Sequence, residues 1–113
     1  MSRFERTSEF EKELRRLSAK FRSLFKDLER FEKVLTVNHT GIGKNFTIIY
    51  RQEGLDIVKA RVACKSLRAR SLRCIYAYYK DSQCFTYIEL YHKGEKENED
   101  RERIKRWLKE RRL

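Results

Sequence analysis

Phe10, Leu14, Leu17, Phe21, Leu24, Leu28, Phe31 and Leu35 recur at spacings of four and three residues, which places them on one apolar face of a helix. No glycine or proline interrupts the run, and Ser8 followed by Glu11 fits a capping box that opens it. A single helix of about 28 residues with a coiled-coil seam fits the pattern, but it spans about 42 Å, more than a compact chain of this length offers. The preferred reading is a hairpin of two helices folded back at residues 20–23, with Ser23 capping the second.

The period then changes. "NHTGIGKN" at residues 38–45 is a loop by composition, and it lacks the second half of a phosphate-binding loop. "FTIIYRQ", "LDIVKARVAC", "SLRCIYAYYK" and "CFTYIELYH" are rich in β-branched and aromatic residues, and short linkers predict antiparallel hairpins between them. Alternation sets Val58, Ala60 and Val62 against Lys59 and Arg61, and Cys74, Tyr76 and Tyr78 against Arg73. In the last run it sets Thr86, Ile88 and Leu90, with His92, against Tyr87, Glu89, Tyr91 and Lys93. Helices are therefore expected on one face of the sheet and a basic, tyrosine-bearing floor on the other.

A last helix is predicted from Asn98 as cap, with Glu99 and Asp100 in its first turn and Lys109, Arg111 and Arg112 at its end. Its apolar stripe is only Ile104, Trp107 and Leu108, which predicts a weakly held helix. The fold class is α+β: an N-terminal helical hairpin packed on a small antiparallel sheet, with a short C-terminal helix, all in one domain over residues 1–113.

Charge sharpens this picture. The 113 residues carry a formal +11, with 28 Lys and Arg against 17 Asp and Glu. Both ends are mixed, whereas between Asp56 and Asp81 there is no acid, yet Lys59, Arg61, Lys65, Arg68, Arg70, Arg73 and Lys80 all fall there. Cations without counter-charges call for a negative ligand, with phosphate backbone, an acidic protein and anionic lipid as the candidates. Lipid is disfavoured, since no apolar run of about 18 residues, signal peptide or lipidation signature is present. A cytoplasmic protein is expected. Cys64, Cys74 and Cys84 form no CxxC pair, so free thiols are expected rather than a disulfide or metal centre.

The order "IVKARVA", "SLRCIYAYY", "YIELYHKGEK" after a helical pair and before a short helix resembles the RelE/ParE toxins of toxin–antitoxin systems. The likeness runs from about Phe10 to Leu108. It implies a messenger-RNA endoribonuclease that works on the ribosome without metal or cofactor, by attack of a ribose 2′-hydroxyl on the neighbouring phosphate. That chemistry needs a base, cations for the phosphorane and an acid for the departing 5′-oxygen. By position, Lys59, Arg61 and Arg73 match the family's basic residues, while Lys93 and Lys96 fall where a basic residue closes the site. Residues 97–103 hold no tyrosine, where several members have one, so Tyr91 and His92 are the proton-transfer candidates, His92 because a loss of register at Gly94 would turn it toward the open face, with Lys59 as an alternative base. Lys65, Arg68 and Arg70 complete the expected substrate-binding set.

The resemblance further implies a cognate acidic antitoxin, contacts with ribosome and message, and a free state that is a monomer or weak homodimer. Two other functions share the fold: a ParE-like gyrase inhibitor and a non-catalytic nucleic-acid-binding protein.

Overall fold

The computed structural model describes residues 3–38, 43–67 and 71–111. The order is β1 (Arg3–Arg6), α1 (Ser8–Lys20), α2 (Leu24–Val37), β2 (Phe46–Gln52), β3 (Leu55–Ala63), a 3-10 turn at Lys65–Leu67, β4 (Ser71–Tyr79), β5 (Cys84–His92) and α3 (Arg101–Glu110). The hairpin is present. Thr7, rather than Ser8, caps α1 by accepting from the Phe10 N–H at 3.2 Å, and Glu11 pairs with Arg6 instead of closing a box. Ser23 is the N-cap of α2, but its hydroxyl donates to Asp27 at 2.6 Å and accepts from the Ser66 N–H at 3.0 Å rather than from the first turn of α2.

The five strands are ordered β1-β5-β4-β3-β2. The sheet is mixed rather than purely antiparallel, because β1 runs parallel to β5 from Arg3 beside Cys84 to Arg6 beside Tyr87. So short an edge strand, with Phe4 as its one apolar residue, leaves no alternating signature. What holds it is the Phe4 ring, stacked on Phe85 with centroids 4.9 Å apart.

One face of the sheet meets the hairpin. Phe10, Leu14, Leu17, Leu24, Leu28 and Leu35 pack there on Val58, Ala60, Val62, Leu72, Cys74, Tyr76 and Leu90. The other face is only half open, which corrects the expected uncovered floor. Ile104 and Trp107 of α3 cover Leu55, Ile57, Ile75, Ala77 and Ile88. Nor does α3 depend on its narrow stripe alone. Arg103 donates to both carboxylate oxygens of Glu13 at 2.9 Å, and Arg106 to both of Glu9 at 2.9 and 3.0 Å, so ion pairs clamp α3 to α1.

A bulge explains why alternation misassigned β5. Ile75 stands opposite Glu89 but Tyr76 stands opposite Tyr87, so Ile88 is an extra residue and the facing pattern inverts there. Tyr87 therefore turns into the hairpin core, stacked on Phe10 with its hydroxyl on Glu32, while Ile88 points toward α3. The bulge is held in place: Glu13 accepts from the Leu90 N–H at 3.1 Å, and Arg103 donates to the Ile88 carbonyl at 3.0 Å. Cys64, Cys74 and Cys84 are buried, unbridged thiols. Among the described residues no helix is long and apolar enough to cross a membrane.

Candidate functional site

Beside α3, strand register lines up two rows of side chains across the sheet. In the first, Thr47 of β2 stands opposite Lys59 of β3, Lys59 opposite Ile75 of β4, and Ile75 opposite Glu89 of β5. In the second, Arg61 stands opposite Arg73, and Arg73 opposite Tyr91. Directly opposed side chains on one face have Cβ atoms about 5 Å apart. Lys59, Arg61, Arg73 and Tyr91 therefore converge, together with Lys93, Thr47, Lys44 and Glu97, on a cleft of about 230 Å³.

The segment after β5 supplies the counter-charges missing from the middle of the sequence. Glu99 turns back under the sheet and accepts from the Lys59 ammonium at 3.0 Å. Burial pushes the Glu99 carboxyl up, but its own backbone N–H and the Lys59 ammonium outweigh this and hold it below the ordinary carboxylate value. Asp100, not Asn98, caps α3 by accepting from the Arg103 N–H, so Glu99 lies ahead of the helix and is free to reach Lys59. Glu89 is completely buried; it takes the Lys96 ammonium and the Asp100 N–H, tethering the segment to the floor. A further anchor is Glu95, which accepts from Arg16 and Lys20 of α1.

No such partner closes the second row. Among the described residues no carboxylate pairs with Arg61, Arg73 or Lys93. Partial burial lowers the affinity of Arg73 for its proton, as does the facing Arg61, and its guanidinium donates at 2.7 Å to the Ser71 hydroxyl. Tyr91 is buried, and its hydroxyl has no hydrogen-bond partner among the described residues. Burial, with Glu99 and Glu89 nearby, pushes that phenol up to about 12, so it keeps its proton through neutral pH.

Of the expected catalytic residues, Lys59, Arg61, Arg73 and Tyr91 are brought together. His92 is not: it lies on the hairpin face, its ring edge-on to Phe21 at 5.5 Å. Gly94 does not turn it toward the cleft; a Cβ at Gly94 would stand 3.0 Å from the imidazole, so the glycine lets the chain close over the ring. Lys59 is ion-paired with Glu99, so it is not crowded by like charges alone. Of the expected substrate-binding residues, Lys93 lines the cleft, whereas Lys96 is engaged by Glu89 and lies over the Tyr91 ring at 5.6 Å. Lys65 sits apart, on a groove between α2 and the end of β3. Arg68 and Arg70 lie outside the described residues. Glu97, Glu99 and Glu89 were missed because the first two read as helix-opening acids or solvated charge and the third as an outward strand residue.

No family model and no curated protein matches the sequence. The fold does match: a chain in the crystal structure of the archaeal RelE–RelB complex from Pyrococcus horikoshii OT3 superimposes with a TM-score of 0.62 at 17% identity, over 82% of this chain and 96% of that one. At that identity the likeness is one of fold: the protein shares the fold of a chain of the RelE–RelB complex.

Proposed function

We propose that the protein is the toxin of a toxin–antitoxin pair and cuts messenger RNA on the ribosome, in a metal-independent attack of a ribose 2′-hydroxyl on the adjacent phosphate. The observation that carries this reading is the second row: two opposed guanidiniums beside a buried phenol, with no carboxylate partner for the former and no hydrogen-bond partner for the latter among the described residues. A phosphorane gathers two negative charges, and Arg61 and Arg73, with Lys59 at the side, offer fixed cations where that charge develops. Tyr91, protonated at neutral pH, is a donor for the departing 5′-oxygen. Glu97 is the carboxylate lining the cleft and the acceptor available for the 2′ proton.

The partner reading rests on the matched complex of RelE with RelB and on the charge of +11, which suits an acidic antitoxin. Expression in cells followed by mapping of message 5′ ends tests the proposal. Cuts at fixed positions within codons are the expected result. Growth arrest with intact messages and damaged DNA would replace it with gyrase inhibition, and neither effect would leave a non-catalytic nucleic-acid binder.

A further inference from the structure

A second recess adjoins the cleft. In β2 the register slips between Ile48 and Tyr50, so that Ile48 stands opposite Val58 and Tyr50 opposite Ile57. The bulge thereby turns two consecutive side chains, Ile49 and Tyr50, toward α3, re-aiming the edge of the sheet. With Ile104 and Leu108 of α3 they line an apolar recess of about 190 Å³, rimmed by Glu99, Arg101 and Lys105. Tyr50 is 37% exposed there, an unusual setting for a large ring in a chain whose other five tyrosines are buried or half-buried. Glu99, on the recess side, links the two: one carboxylate oxygen takes Lys59 of the cleft at 3.0 Å, and the other faces Arg101 of the recess at 3.4 Å.

We propose that this recess takes one nucleobase of the RNA strand whose phosphate lies in the cationic cleft, stacked against Tyr50 and Arg101. The inference rests on the nuclease reading and adds to it a base subsite. A base has two apolar faces and a hydrogen-bonding edge, and proteins hold an unstacked base on aromatic rings and guanidinium planes. The recess offers Ile49, Ile104 and Leu108 to a face, the Tyr50 ring and Arg101 for stacking, and a carboxylate to the edge. Because that carboxylate only accepts, the site favours a base edge that presents an N–H donor, amino or imino. Lys105 on the rim and Lys59 beyond Glu99 flank it with the cations that a phosphodiester follows.

The test uses the purified full-length protein and five-residue single-stranded DNA oligonucleotides, which lack the 2′-hydroxyl and stay uncut. Each carries one abasic position, and affinity is read by fluorescence anisotropy at low salt. One abasic position should weaken binding about tenfold, within the range for loss of a single stacked base. The penalty should persist in Tyr50→Phe, which keeps the ring, and fall below about twofold in Tyr50→Ala. Equal binding of all abasic oligonucleotides to the wild-type protein, or the same penalty in Tyr50→Ala, would overturn the base subsite and leave the recess to a side chain of a protein partner. Base-dependent binding alongside uncut messages would support the recess and sink the nuclease. Cut messages with base-independent binding would sink the recess alone.

Discussion

Two adjacent rows on one face of the sheet treat charge in opposite ways. In the row Thr47, Lys59, Ile75 and Glu89, each charge is met from within: Glu99 reaches Lys59, and Lys96 with the Asp100 N–H reaches Glu89. In the next row Arg61 faces Arg73 and Tyr91 closes the line with a hydroxyl that no described residue accepts from or donates to. Like charges directly opposite destabilise a sheet, and an unpartnered buried hydroxyl costs about 1 to 3 kcal/mol. The difference teaches that the first row is structural and holds the segment 93–100 in place, whereas the second row is left for a ligand to complete.

Breaking the first row should have the largest effect. Lys96→Ala leaves Glu89 fully buried without its ammonium and should cost about 3 kcal/mol in denaturant unfolding, since removing one member of a buried pair strands the other. Lys59→Ala should follow at about 2 kcal/mol, because Glu99 then keeps only its backbone bond and the more exposed Arg101. Its pH dependence has a definite sign. The Glu99 carboxyl lies below 4.5 when folded, so its contribution is full above the unfolded value and is lost as pH falls through the folded one. The stability gap between wild type and Lys59→Ala should therefore be wide at neutral pH and close in acid below 4.5.

Changes in the second row should move stability the other way. Tyr91→Phe removes the unpartnered hydroxyl and should stabilise the protein by about 1 kcal/mol while weakening RNA cleavage, the signature of a group kept for function rather than folding. The smallest effect belongs to Arg61→Ala: relief of repulsion with Arg73 should add a few tenths of a kcal/mol, roughly. In return, the slope of RNA affinity against salt should fall by about one counter-ion. Destabilisation by both variants would erase the contrast between the rows.

Much of this was legible in the sequence, and the parts that were not share a cause. The four-three spacing from Phe10 to Leu35 and the composition of the strands carry α1, α2 and β2 to β5, and simple alternation puts Lys59, Arg61 and Arg73 on one face. Alternation fails at Ile88, where one inserted residue sends Tyr87 to the core and Ile88 to α3. A bulge carries no local composition signal that would mark it. Long-range pairing was equally hidden. Glu99 is forty residues from Lys59, and Glu13 is ninety from Arg103, so counting charges along the chain missed the partner of Lys59, and the narrow stripe of α3 predicted a loose helix where ion pairs clamp it to α1. His92 was misplaced for a different reason: Gly94 reads as a loss of register, yet it serves as a close approach over the imidazole.

The most direct test of the second row as the working surface is single-turnover cleavage of a defined message on purified ribosomes, comparing wild type with Arg73→Ala. Arg73 is partly exposed on the cleft, and its polar contacts are confined to Ser71 and Leu72 on its own strand. The variant should therefore unfold at or slightly above the wild-type midpoint while its cleavage rate drops about 100-fold or more. Unchanged cleavage by a folded Arg73→Ala protein, or no cleavage by the wild type, would contradict the account.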